Sequence, residues 1–193
     1  EIAQCLVGSE MCIRDSPSLS AAERFVTNES NGFTWIQQGK AYPILVDSQE
    51  DKGVLRAVAN LQTDAGKVTG ATPEIIHSPS GNRILIVGSV ENSSWIKQLV
   101  QAGKIPAADL KGKREKYILQ TVKQPVEGVE EAIVIAGSDK RGTIYGIYEL
   151  SRQMGVSPWY FWADVPVEKH DIISIKEGVY TLSLIHISEP TRH

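Results

Sequence analysis

The chain has 193 residues, which at roughly 100–200 residues per domain makes one domain and is too short for a complete (β/α)8 barrel of about 250. Hydrophobic residues at 41% and charged residues at 22% describe an ordinary globular chain. Twenty Lys and Arg against 23 Asp and Glu leave a net charge of -3, which excludes a polycationic footprint for nucleic acid, and no apolar run approaches the ~18 residues of a membrane span.

Both cysteines, Cys5 and Cys12, lie close to the start, in a run (5–16) that resembles read-through translation of sequencing-adapter DNA. The tail 182–193 reads the same way. Residues 1–16 and 182–193, with His186 and His193, are set aside as adapter-like, as an expression scar would be, and residues 17–181 are expected to form the domain. Pairing or metal binding by Cys5 and Cys12 is the alternative, but they lack a histidine cluster at zinc-site spacing. No cofactor or metal motif stands out elsewhere. Residues 17–181 contain no cysteine, which suits cytoplasm and periplasm equally.

In chain order, Phe25 and Val26 lead into a first strand. Phe33–Ile36 and Tyr42–Val46, separated by a short turn containing Gly39, read as a β-hairpin. From Lys52, the apolar residues Val54, Ala57, Val58 and Leu61 recur at helical spacing, and Gly66 and Gly70 are expected to end that helix. A short strand at 73–77 and a turn at 78–82 precede Arg83–Gly88, a continuous apolar run of the kind buried on both faces of a sheet. Asn92, Ser93 and Ser94 supply N-cap chemistry for a helix carrying Trp95, Ile96, Leu99 and Val100, stopped by Gly103. Residues 106–116 are basic and polar, a surface excursion. Strands follow at 117–122 and 132–136. Alternation of buried strands with helical segments predicts an α/β fold, a mixed or parallel sheet layered with helices.

The most informative stretch begins as the last of these strands ends: Gly137, Ser138, Asp139, Lys140, Arg141, Gly142, Thr143, then Ile144, Ile147, Tyr148 and Ser151 at helical spacing. Glycines 137 and 142 allow a sharp turn, and Asp139 can cap the new helix. Gly146 inside a helix costs about 1 kcal/mol relative to Ala, so a neighbouring element is expected to approach closely there. Lys140 and Arg141 stand at the strand exit, where α/β sheets carry ligand contacts. A phosphate cradle fails on residue order, since the Lys-Ser/Thr pair of a P-loop is missing. Carboxylate recognition by Arg141 or Lys140 suits the guanidinium fork, whereas solvation of the helix start, or pairing with acids of a neighbouring domain, explains the same cations without a ligand. The aromatic run Trp159, Tyr160, Phe161, Trp162 offers rings to stack on a sugar, or a packing surface for a neighbouring domain.

The string from Ile135 through Ser151, continuing with Gly155–Tyr160 and Trp162–Pro166, resembles the N-terminal domain of glycoside hydrolase family 115, the xylan α-1,2-glucuronidases. Val54–Asn60, Val68–Gly70, Lys111–Lys113 with Glu115 and Lys116, and Gln120–Val122 look like the same family, so the resemblance spans roughly residues 25–176. Phe161 stands where the family favours Trp.

The resemblance implies a small α/β domain like the one preceding the barrel in family 20 hexosaminidases, followed in the parent enzyme by a catalytic barrel and further C-terminal domains. It implies inverting hydrolysis of glucuronic or 4-O-methylglucuronic acid side chains from xylan, by an acid and a base roughly 6.5–9.5 Å apart, both in the barrel. On that reading this chain is a truncated N-terminal piece, inactive alone, reaching glucuronoxylan only through the missing barrel. No catalytic residue is expected in it, and Asp139, Glu149 and Asp164 are not promoted to that role. Lys140, Arg141, Trp159 and Trp162 are the candidates for substrate or domain contact. The parent enzyme would be periplasmic or extracellular, although no signal peptide is visible. A stand-alone α/β module binding an acidic sugar or small anion is the alternative from a different class.

Overall fold

The computed structural model describes residues 24–183. Cys5, Cys12, His186 and His193 lie outside the described residues.

Ten strands and five helices follow one another along the described chain. They are β1 (Val26–Thr27), β2 (Phe33–Gln37), β3 (Lys40–Ala41), β4 (Ile44–Val46), α1 (Lys52–Thr69), β5 (Ile75–Ile76), β6 (Arg83–Ser89), α2 (Ser94–Gln101), α3 (Ala107–Leu110), β7 (Lys116–Lys123), β8 (Glu131–Gly137), α4 (Lys140–Gln153), α5 (Tyr160–Ala163), β9 (Ile172–Ile175) and β10 (Val179–Ser183). Six strands form the main sheet in the order β10-β7-β8-β6-β4-β5. Within it β5, β4, β6 and β8 run parallel, β7 runs against them, and β10, paired antiparallel with β7, runs with them again. The expected mixed sheet layered with helices is therefore the fold, and no closed barrel occurs among the described residues.

A second, antiparallel sheet of four strands, β1-β9-β2-β3, lies beside it. This corrects the hairpin expected at 33–46. β2 does fold back on β3 through Gln38 and Gly39, both at positive φ, but β3 ends after Ala41 and β4 belongs to the main sheet, beside β6. Tyr42 and Pro43 make the crossing: Tyr42 N–H still donates to the Trp35 carbonyl, while the Pro43 carbonyl accepts from Leu85.

Helix placement follows from patterning. The stripe Val54, Ala57, Val58, Leu61, extended by Ala65 and Val68, is buried, so α1 lies on the sheet along that face. Asp51 caps its start by accepting from Gly53 N at 2.8 Å, and Gly70 at φ 75° ends it. Gly66, expected to break the helix, sits inside it. α1 packs against α4, and both share a core with Leu85, Val87, Ile133 and Ile135 and with Phe33, Trp35 and Ile36 of the small sheet. The alternate residues of the same strands, Ile84, Ile86, Ala132 and Val134, pack on the other face with Ile96 and Leu99 of α2 and Leu110 of α3. Burial of β6 and β8 on both faces is what their uninterrupted apolar runs require. β10 continues to Leu182 and Ser183, opposite Tyr117 and Lys116, two residues past the boundary expected at 181.

Candidate functional site at the carboxyl edge of the parallel strands

Because β4, β6 and β8 run the same way, their carboxyl ends open onto one edge, where ligand contacts of α/β sheets are usually found. From β8 the chain turns through Ser138 and Asp139 directly into α4. Asp139 accepts from Gly142 N at 2.7 Å, capping the helix, and from Glu115 N at 2.9 Å, binding the approach to β7. Ser138 closes the same joint, donating N–H to the Lys116 carbonyl at 2.8 Å and accepting from Lys116 N at 3.0 Å. A Cβ at Gly142 would collide with the Lys116 carbonyl, and one at Gly137 with Thr143. At Gly146 a Cβ would meet Ile135 Cγ2 at 2.8 Å and the Tyr117 ring at 3.0 Å. The close approach expected at Gly146 is therefore made by β7 and β8.

The four candidate residues do not converge. Lys140 and Arg141 start α4, 59% and 61% exposed in their side chains, and each has an acid partner in its own domain: Lys140 Nζ lies 3.9 Å from Asp51, and Arg141 Nη1 2.7 Å from Glu115. Trp159, 65% exposed, follows the far end of α4, about 20 Å along a helix of 14 residues. Trp162 falls within α5, and its side chain lies outside the described residues. The neighbouring Tyr160 ring is held by Lys67, whose Nζ sits 4.3 Å from its centroid. Of the three acids kept out of catalysis, Asp139 is consumed by capping. Glu149 accepts from Arg152 at 2.6 and 2.8 Å and from Gln153 at 2.8 Å, and Asp164 is exposed at φ 49°.

The same edge carries a buried clasp that the sequence did not reveal. Glu50, 5% exposed, accepts from Ser89 N at 2.9 Å and Ser89 Oγ at 2.8 Å. Asp47 accepts from Gln49 N at 2.9 Å, and from Ser94 N and Oγ at 2.9 and 2.5 Å. Residues 47–51 show turn chemistry in sequence, but their partners lie about forty residues further on, beyond any local pattern. Burial opposes ionisation of Asp47, yet the Ser94 and Gln49 hydrogen bonds and the nearby Lys97 outweigh it and hold its carboxyl below the ordinary 3.8. Its contribution to stability is therefore complete above pH 3.8 and lost as pH falls through the depressed folded value. Asp64 works in the opposite sense, since burial raises its carboxyl and protonation favours the fold. Thermal unfolding between pH 5 and 2 is expected to show a smaller acid-induced fall for Asp47→Asn than for the unmodified chain. Equal falls would show that the clasp does not depend on the charge.

Among the described residues no cluster of His, Cys, Asp and Glu could hold a metal ion, and no helix is long and apolar enough to cross a membrane. Two shallow clefts of about 560 and 610 Å³ lie at the opposite edge of the sheet, beside Asn82 and Arg83 at the start of β6 and Glu130 and Glu131 at the start of β8.

The sequence profile of the glycosyl hydrolase family 67 N-terminus matches residues 37–150, from the end of β2 into the last turns of α4. The chain belongs to that family. A solved family 115 4-O-methyl-α-glucuronidase with specificity for decorated arabinogalactans is 34% identical, with a TM-score of 0.63. The alignment covers 78% of this chain and 18% of that enzyme, so this family 67 N-terminal domain spans under a fifth of the relative's length. A Streptomyces plicatus β-hexosaminidase aligns at 16% identity and a TM-score of 0.44, over 79% of this chain and 24% of its own. A family 20 β-N-acetylhexosaminidase of Streptomyces coelicolor A3(2) aligns at 18% and 0.43, with the same coverage. No curated protein sequence matches. The family profile widens the resemblance read over roughly residues 25–176, which named family 115.

Proposed function

We propose that this chain is the N-terminal α/β domain of a family 115 α-glucuronidase, a periplasmic or extracellular enzyme that removes glucuronic or 4-O-methylglucuronic acid side chains from xylan with inversion. The observation that carries this reading is the 34% identity to a 4-O-methyl-α-glucuronidase across 78% of the chain. The family 67 N-terminal profile over residues 37–150 supports the same broader enzyme class. On this reading the acid and base belong to a domain that follows, and the α/β domain contributes support rather than chemistry. Lys140, Arg141, Trp159 and Trp162 are its contacts with that domain or with the uronate. The carboxylates at the strand edge suit such a role, because they are committed to backbone N–H and serine groups rather than left to move protons.

The test is direct. The purified 193-residue chain is expected to release no uronic acid from glucuronoxylan, while the gene is expected to continue with several hundred codons of alternating strands and helices that include paired carboxylates. Uronic acid release by the chain alone, or an open reading frame that lacks such a segment, would overturn the reading.

A further inference from the structure

Residues 111–115 form a basic turn between α3 and β7. Lys111, Lys113 and Arg114 are exposed, and none has an ion-pair partner among the described residues. Their neighbours differ: Lys116 pairs with Asp109 at 3.5 Å, and Arg141 with Glu115 at 2.7 Å. The turn is fixed at both ends. On one side Leu110 is 1% exposed in the core under α2, and its carbonyl accepts from Lys113 N at 3.1 Å. On the other, Glu115 N and Lys116 N donate to Asp139 and Ser138 at the start of α4. Gly112 turns the chain at φ 73°, and Glu115 takes positive φ (53°), which in a residue other than glycine persists only where the surroundings hold it. Three free cations thus stand on a pinned backbone, in a chain whose net charge is -3.

We propose that the turn 111–114 is a docking site for uronate-bearing polysaccharide, outside any catalytic centre. The choice of polymer rests on the α-glucuronidase reading; the existence of an anion-binding turn does not. Cations carried on a backbone held at both ends lose less freedom on binding than cations on a mobile loop. Arg114 offers a planar fork to a carboxylate, and Lys111 and Lys113 act as point charges beside it. Three exposed cations within four residues can meet the single carboxylate of a uronate. Nucleic acid does not, since its dense phosphates call for a wide basic face with stacking rings, and the exposed large apolar residues Tyr42, Tyr148, Trp159 and Val179 all lie outside the turn.

The test is affinity electrophoresis of the 193-residue chain at low salt in glucuronoxylan, polygalacturonate and neutral arabinoxylan. Retardation is expected in both acidic polymers and not in arabinoxylan, with loss near 0.5 M salt as screening shortens the reach of exposed charges. The triple variant K111E/K113E/R114E is expected to bind about tenfold more weakly with an unchanged melting temperature. A second triple variant, K40E/K123E/K176E, makes the same change in net charge at exposed sites elsewhere and is expected to stay within about twofold of the parent. Equal losses in the two variants would reduce the effect to net charge and overturn the site. So would equal binding of arabinoxylan, absence of binding to both acidic polymers, or tighter binding of duplex DNA. Polygalacturonate is not a substrate of the proposed reaction, so its binding is judged apart from uronic acid release, on which the catalytic reading stands.

Discussion

Trp35→Ala is expected to be the most damaging single substitution, costing about 3–5 kcal/mol, the range for a large aromatic deleted from a packed core. At roughly 2–4 °C per kcal/mol for a domain of this size, the melting temperature would fall by about 6–20 °C. Trp35 has no exposed surface, and its indole N–H donates to the Tyr42 carbonyl at 2.9 Å. It also sits where the pairing of β2 with β9 slips, between Thr34 opposite Ser174 and Ile36 opposite Ile173. In a regular strand consecutive side chains face opposite sides. The bulge re-aims one of them, so that Trp35 and Ile36 both enter the core shared with α1 and α4. Trp35→Phe keeps most of the ring volume and is expected to cost clearly less. A fall of under 3 °C for Trp35→Ala, read by circular dichroism, would contradict this account of the core.

Gly142→Ala comes next, at about 3 kcal/mol. Its added methyl would meet the carbonyl of Lys116, and a backbone group within a paired strand cannot turn aside as a side-chain tip can. Relief would require α4 to lift from β7, loosening the Asp139 and Ser138 hydrogen bonds that pin Glu115 and Lys116. Gly66, in the interior of α1, is the control. Its Cβ would meet only Thr72 Oγ1, at 3.0 Å, on an exposed residue, so the ~1 kcal/mol helix-propensity gain of alanine can be realised. Thermal unfolding should therefore move in opposite directions for the two glycines. A shift of the same sign and size would show that the contact at Gly142 is as yielding as that at Gly66.

Elements whose stabilising partners are periodic and local were legible. The stripe of α1, the Ser93 cap of α2, the Asp139 cap of α4 and the apolar runs of β6 and β8 all appear in the fold at the expected places. What failed was pairing at a distance. Phe33–Ile36 and Tyr42–Val46 alternate like a hairpin, but nothing local says that Ile44 will leave its neighbour for β6. β9 and β10 received no expectation, because their short segments acquire meaning only opposite β2 and β7. At the candidate site, the turn and its cap could be read from Gly137, Asp139 and Gly142. The acids that pair with Lys140 and Arg141 could not, since Asp51 and Glu115 reach them from other loops.

The small sheet has a consequence for synthesis. Thr34 meets Ser174 at a separation of 140 residues, hydroxyl to hydroxyl at 3.1 Å, and β1 and β2 both pair with β9. A ribosome adding about 5–20 residues per second makes β2 roughly 7–28 seconds before β9 exists. During that interval Phe33, Trp35 and Ile36, none of which has exposed surface in the finished domain, have only the two-residue strand β3 beside them. They form a sticky segment on the nascent chain, the kind of surface that holding chaperones bind. The parallel strands β4, β6 and β8 can assemble in order as they emerge, so the two sheets are completed only at the end of synthesis, when β9 joins the small sheet and β10 adds the last edge of the main one.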